Sequence, residues 1–484
     1  MGRCRHVNHP SLGCRSFFRF AGLAGSIVGV SCAYAGCLSA PSAASNDTPV
    51  AVKGCTVDGG AQPVTAPNGY YTSGGTVCTA AGAPHLFHGV DRPSLEWNPA
   101  GESLSQQDFA LMASWGANVV RIALNQDFWL AGAALNNANY PAIVQQSVSW
   151  AESEGLDVIL DLHWSDRGDL SVTSTGAQGA GNSNQQAMAD TNSIEFWREV
   201  ATTFKGDGRV LFELYNEPHN ITWDVWLSGG PTGGFTAAGM QQLYDAVRGV
   251  GADNLVIAGG TSWAYDLSNV GPSSVFVHGY NVMYATHPYL TSGSVPSAWE
   301  GTFGRLETTD FAPVIATEFG DKTTPNCTGD WDRRLIQFAD DHHMSWTAWA
   351  WFVSTGVPDD PQGCHFPSLI VDWTGTPSVQ GVAVKAALAT YPAPESRAGA
   401  DAGAQSIDAG TQDTEGGGAQ SIDAGTQDTE GGGAQGTDTG ATQDPDAASL
   451  IEAATEDAAI DGGGDTSDDG SDGDRSDGLA APIE

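Results

Sequence analysis

The sequence predicts an α/β protein built as a closed (β/α)8 TIM barrel, on three observations. Eight short, continuously apolar runs recur across about 300 residues, segments of helical periodicity lie between many of them, and no Gly-x-Gly-x-x-Gly follows an early strand. Continuous apolar strands separated by helices indicate a parallel sheet buried on both faces. Eight such units over that length suit a closed barrel better than an open doubly wound sheet, and the missing glycine motif speaks against a dinucleotide domain.

The elements follow in order. Tyr70-Tyr71-Thr72, Gly74-Gly75 and Thr76-Val77-Cys78 read as a hairpin that leads into the first buried strand, 86–90. The other strands are expected at 118–124, 156–162, 210–215, 254–258, 282–286, 313–317 and 345–350. Helices are expected at 105–115, 142–153, 192–204, 237–250, 331–340 and 379–389. The first opens with Ser105-x-x-Asp108, a relative of the capping box, and sets Phe109, Leu111 and Met112 on one side. Between strands four and five, residues 220–235 carry Trp223, Trp226 and two glycine pairs, which reads as a loop beside the cleft.

Composition divides the chain unevenly. Residues 398–484 hold 21 Asp or Glu and one Arg, a net −20 of the chain's −38, which leaves −18 on the other 397 residues. That tail has no Trp, Tyr, Phe, Met or Cys, so it lacks the apolar surface that offsets ordering entropy. Residues 393–484 are therefore expected to be an acidic, disordered tail. Within it GAQSIDAGTQDTEGG at 403–417 recurs at 418–432, a 15-residue repeat read as a spacer. Residues 50–392 are expected to form the barrel domain. The acidity argues against nucleic acid or an anionic membrane surface as partner, whereas a neutral polysaccharide meets no repulsion.

Residues 1–44 read as an export signal. Arg3, Arg5, Arg15 and Arg19 precede an apolar, glycine-interrupted stretch, and no acidic residue occurs before Asp47. Cleavage after Ser42-Ala43-Ala44 would release the protein. Tyr34-Ala35-Gly36-Cys37 instead resembles a lipoprotein signal, with Cys37 the lipidated residue and Tyr34 where Leu is usual. No lasting membrane span is expected. Four cysteines remain beyond the signal, and an even number in an exported chain suggests two disulfides. Cys55–Cys78 and Cys327–Cys364 are the pairing that joins near neighbours in sequence.

The chemistry-bearing residues lie at strand ends, where a barrel of this kind builds its site. Arg121 lies in the second strand, His163-Trp164 ends the third, and Asn216-Glu217-Pro218 the fourth. His287-Pro288-Tyr289 ends the sixth, Glu318-Phe319-Gly320 the seventh, with Trp349 and Trp351 at the eighth. Two carboxyls on opposite sides of a bond, one protonating the leaving oxygen and one attacking the anomeric carbon, are what glycoside hydrolysis requires. Arg121 and Tyr289 would keep Glu318 ionised, while Glu217 beside neutral Asn216 could hold its proton. Asn216 could hydrogen-bond a sugar 2-hydroxyl. Metal ligation by His163 and His287 is the rival reading, but barrel metallohydrolases open with His-x-His and this first strand reads His88-Gly89-Val90. No metal or other cofactor is expected.

These residues resemble the cellulase family, glycoside hydrolase family 5. Its pattern of Arg, His, Asn-Glu, His-x-Tyr, Glu and Trp maps onto Arg121, His163, Asn216, Glu217, His287, Tyr289, Glu318 and Trp349, all in order over residues 69–392. The resemblance implies Glu217 as acid/base, Glu318 as nucleophile, retention of configuration, and a hairpin that closes the barrel floor. Flat aromatic platforms for pyranose rings are expected at Trp97, Trp164, Trp263, Trp349 and Trp351. Strand alternation puts Thr347, Trp349 and Trp351 on one face and Trp346 on the other, in the core. The reading is a secreted, monomeric endo-β-1,4-glucanase. Mannan, xyloglucan and mixed-linkage glucan are the alternative substrates, and a carbohydrate-binding surface protein without catalysis is the alternative of another class.

Overall fold

The computed structural model describes residues 54–55, 64–171, 186–290, 294–322, 327–354, 363–364 and 366–392. The export signal with Cys37 and the repeat-bearing tail lie outside the described residues. Among those described, no helix is long and apolar enough to cross a membrane.

Eight parallel strands close into one barrel. They are β1 (His88–Arg92), β2 (Val119–Asn125), β3 (Asp157–Trp164), β4 (Val210–Glu213), β5 (Val256–Gly259), β6 (Val282–Thr286), β7 (Val314–Ala316) and β8 (Ser345–Ala348). Closure comes from β8 pairing with β1, Trp346 opposite His88 and Ala348 opposite Val90. All eight expected strands are present, with ends displaced by a few residues.

Strand alternation sorts the side chains into two cores. Val119, Ile159, Leu211, Ile257, Met283 and Ile315 meet inside the barrel. Their neighbours Val120, Val158, Leu160, Phe212, Val256 and Val314 face the surrounding helices. The helix Ser193–Phe204 shows how that outer layer is held: Phe196, Trp197, Val200, Ala201 and Phe204 form one buried stripe, and the Trp197 indole donates to Leu214 O at 2.9 Å. Gly89 is required on β1, because a Cβ there would lie 1.9 Å from Val119 O on the paired strand.

The hairpin ahead of the barrel gains a third strand: Tyr70–Ser73, Thr76–Thr79 and Pro84–His85 form an antiparallel sheet. Tyr70 and Val77 pack on the inner core, so this sheet stops the end of the barrel opposite the strand C-termini. Tyr70 also donates to Asp157 Oδ2 at 2.5 Å. The expected disulfides Cys55–Cys78 and Cys327–Cys364 are both formed.

Three readings need correction. Ser105 makes no side-chain cap on the helix Gln106–Ser114. Asp108 is drawn inward instead, where it pairs with Arg92 and accepts the Trp351 indole N–H. Trp351 is therefore fully buried, edge-on to Trp115, and offers no sugar platform. The alternation that placed it with Trp349 fails because β8 already ends at Ala348. Residues 220–235 are also more ordered than a loop, with a helix Trp223–Ser228 capped by Thr222 and a hairpin of Gly230–Thr232 and Phe235–Ala237.

Candidate active site

The site grows out of the layer directly above the apolar barrel interior. Two residues beyond inward-facing Val119, Ile159 and Leu211, the same face of β2, β3 and β4 carries Arg121, Asp161 and Glu213. Arg121 is fully buried and reaches every neighbour. Its Nε donates to Glu213 Oε2 at 2.6 Å, and Nη1 to Glu318 Oε1 at 2.8 Å and Asp91 Oδ1 at 3.1 Å. Nη2 donates to Asn216 Oδ1 at 2.6 Å and meets Asp161 Oδ2 at 2.9 Å. Asp91 comes from β1, Asn216 from just past β4, and Glu318 from just past β7.

Above this layer the two glutamates face each other. Tyr289 donates to Glu318 Oε2 at 2.7 Å, so both oxygens of Glu318 are held by donors. Glu217 Oε1 lies 2.8 Å from His287 Nδ1, and His287 Nδ1 is 3.7 Å from Glu318 Oε2. One oxygen from each glutamate and a nitrogen of His287 all lie within 4.8 Å of one another. Three such atoms could meet a cation in space. A guanidinium already bonded to Glu318 makes the donor set better suited to proton chemistry.

Burial governs the charges. His163 and His287 are each pushed down to about 4 chiefly by burial, so both are neutral at neutral pH. Neutral His163 carries its proton toward Asp161 Oδ2, 2.6 Å from Nδ1. Asp161 is itself raised to about 7 by burial, against the pull of Arg121. Burial also lifts Asp91 well above the carboxylate range. For Arg121 burial opposes the charge, but Asp161, Glu213, Glu318 and Asp91 together raise its pKa well above its ordinary value. Burial, and then the charge of Glu318, hold the Tyr289 hydroxyl protonated.

The aromatic residues divide. Trp349 stacks on His163, with ring centroids 5.6 Å apart and planes at 16°. Trp97 is half-buried beside Trp164 and Phe352, and its indole N–H donates to Glu102 Oε1 at 2.7 Å. Trp263 is half-buried and stacks on His219 at 4.7 Å, just past Glu217. Trp164 is only 2 % exposed, so it backs Trp97 from the core and presents no open platform.

Thus His163, Asn216, Glu217, His287, Tyr289, Glu318 and Trp349 meet at one rim, directly above Arg121. Sequence reading missed the layer beneath them: Asp91, Asp161, Glu213 and Thr317. It also missed Lys322, whose amine lies 5.2 Å over the Tyr289 ring and whose pKa burial lowers. A signal for that layer was present. A carboxylate inside an apolar strand, two residues before a rim residue as in Asp161-Leu162-His163, shares that residue's face.

The family model described as cellulase, glycosyl hydrolase family 5, matches residues 78–354. Endoglucanase C of Evansella cellulosilytica is 24 % identical over 300 residues, covering 57 % of this chain and 34 % of that protein. Cellulase CelDZ1 of a Thermoanaerobacterium species is 25 % identical over 287 residues, covering 56 % of this chain and 66 % of that one. The chain thus spans from about a third to just under two thirds of these relatives' length. Among solved structures, β-glucanase SdGluc5_26A of Saccharophagus degradans, in complex with cellotetraose, aligns with a TM-score of 0.50 and 22 % identity. That alignment covers 66 % of this chain and 93 % of the other, a likeness of fold.

Proposed function

The chain belongs to glycosyl hydrolase family 5, the cellulase family, and from that premise we propose that it is a secreted, retaining endo-β-1,4-glucanase. The observation that carries this reading is the spacing of two rim carboxyls, with an oxygen of Glu217 and one of Glu318 within 4.8 Å. Retaining glycosidases hold their carboxyls about 5–5.5 Å apart, whereas inverting ones leave about 6.5–9.5 Å for a water.

In this reading Glu318 is the nucleophile. Its oxygen bonds to the anomeric carbon as the glycosidic bond breaks, and Glu217 passes its proton to the departing oxygen. Water then attacks the same carbon and gives a proton to Glu217, and the bond to Glu318 breaks. Two inversions leave the configuration unchanged. Asn216 is offered for the 2-hydroxyl, and Trp97, Trp263 and Trp349 for the pyranose faces. Substrate is a neutral β-glucan chain, met by a monomer that needs no cofactor. The names endoglucanase and cellulase borne by these relatives support a cellulosic glucan as that polymer.

A panel of carboxymethylcellulose, mixed-linkage glucan, mannan and xyloglucan, read by reducing-sugar release, tests the substrate. Proton NMR of the first-formed anomer tests retention. The β-anomer should appear first from cellulosic substrate, and Glu318→Gln should abolish release. Preference for mannan or xyloglucan would displace the substrate, and wild type as inactive as Glu318→Gln yet still binding glycan would displace the enzyme reading altogether.

A further inference from the structure

A line of hydrogen bonds runs beneath Glu217 to two groups that have no part in the function so far. His287 reaches Glu217 Oε1 through Nδ1 at 2.8 Å, and Thr317 Oγ1 through Nε2 at 3.0 Å. Thr317 Oγ1 lies 2.7 Å from Glu213 Oε1, and Arg121 Nε donates to Glu213 Oε2 at 2.6 Å. Thr317 has one hydroxyl proton, which can go to Glu213 or to His287 but not to both.

The choice follows from where protons sit around Arg121. One guanidinium faces four carboxyls, Asp91, Asp161, Glu213 and Glu318. Asp91 Oδ2 and Asp161 Oδ1 are buried with no hydrogen-bond partner among the described residues. Burial raises the Glu213 carboxyl too, but Arg121 opposes that and both Glu213 oxygens meet hydrogen-bonding groups, so the retained protons fit Asp91 and Asp161 and the charge stays on Glu213. Thr317 then donates to Glu213, and its lone pair accepts from Nε2–H of His287. A neutral imidazole has a single N–H, which leaves a bare lone pair on Nδ1 facing Glu217.

We propose that Thr317 and Glu213 are positioning residues that hold His287 as its Nε2–H tautomer, so that Nδ1 accepts a hydrogen bond from the protonated carboxyl of Glu217. This rests on Glu217 being the acid/base. The acid form is stored in the free enzyme until a glycosidic oxygen arrives. Once Glu217 has lost its proton, two lone pairs face each other across 2.8 Å, which favours taking the proton of the incoming water. Other ionisable groups around the pair are Arg121 on β2, Asp161 and His163 on β3, Tyr215 past β4, Tyr289 past β6, and Glu318 and Lys322 past β7. None of them bonds to His287 Nε2, so Thr317 sets the tautomer.

The test is the pH profile of kcat/KM for the full chain on two aryl cellobiosides, one with a nitrophenyl leaving group and one with plain phenyl. Thr317→Val removes the hydroxyl at nearly constant shape and frees His287 to turn its proton toward Glu217. The alkaline limb should then move down by about one pH unit, the size expected for one hydrogen bond. The phenyl glycoside, which needs the acid more, should lose more activity than the nitrophenyl one. Thr317→Ser should restore both features, and Glu213→Gln should shift the limb in the same direction as Thr317→Val. A Thr317→Val profile that superimposes on wild type, or equal losses on both glycosides without rescue by Ser, overturns the proposal. Failure of the acid/base assignment looks different: wild type would be active while Glu217→Gln lost equal activity on both glycosides.

Discussion

Replacing Arg121 by Met removes the cation that Asp91, Asp161, Glu213 and Glu318 share. Breaking a buried ion pair from one side costs about 3–5 kcal/mol, because the partner is left buried and uncompensated. Here the carboxyls can escape part of that cost by taking up protons. Asp161 already titrates at about 7 in the folded chain against 3.8 ordinarily, and loss of the guanidinium moves it higher. A carboxyl raised on folding binds more protons folded than unfolded, so stability falls as pH rises from about 4 through 7 and beyond. The deficit of Arg121→Met should therefore be small near pH 5 and approach the full 3–5 kcal/mol, by the same estimate, at pH 8. Urea unfolding followed by Trp fluorescence at the two pH values measures it. Arg121→Lys, which keeps charge but loses the planar fork, should fall between. A deficit equal at pH 5 and pH 8 would refute the shared-cation account.

Asp332 is fully buried, neither of its oxygens meets a hydrogen-bonding side chain among the described residues, and burial followed by Asp321 raises its pKa to about 7. Being raised, it too loses stability as pH climbs from about 4 to 7. Asp332→Asn should flatten the change in unfolding free energy between pH 5 and pH 8 by roughly 2–3 kcal/mol, and parallel curves for variant and wild type would count against this. The Cys327–Cys364 bridge closes a separation of 37 residues, so replacing both by Ser should cost about 4 kcal/mol, read from urea midpoints under oxidising conditions. Trp97→Ala should raise KM for cellooligosaccharides several-fold with little change in kcat, since stacking on a platform holds ground and transition states alike; a fall in kcat alone would place Trp97 elsewhere.

The barrel was legible because its strands are apolar on both faces and its helices carry one apolar stripe each, and both patterns survive in the linear chain. The rim was legible for a related reason: Glu217 and Glu318 stand where an apolar run stops. What lay beneath was harder to see, because Asp91, Asp161 and Glu213 sit inside those runs and their purpose depends on a guanidinium from another strand. Trp351 was misplaced because alternation holds only while the strand lasts, and nothing in Trp-Ala-Trp marks where β8 stops. Ser105 failed as a cap because Asp108, its expected counterpart, is engaged by Arg92 and Trp351, residues distant in sequence.

The single guanidinium beneath the rim glutamates also has a consequence for assembly. Asp91, Arg121, Asp161, Glu213 and Asn216 come from the first four strands, whereas Thr317, Glu318 and the His287–Tyr289 pair come from the last four. Arg121 keeps Asp91, Asp161 and Glu213 within the first half, but Glu318 meets Arg121, and Glu217 meets His287, only across the two halves. With Glu217 in one half-barrel and Glu318 in the other, turnover by the proposed mechanism becomes possible only at the moment the ring shuts. The proposed glucanase activity would thus be a direct reporter of complete closure, and two separately expressed halves would serve as a complementation pair whose signal starts from zero.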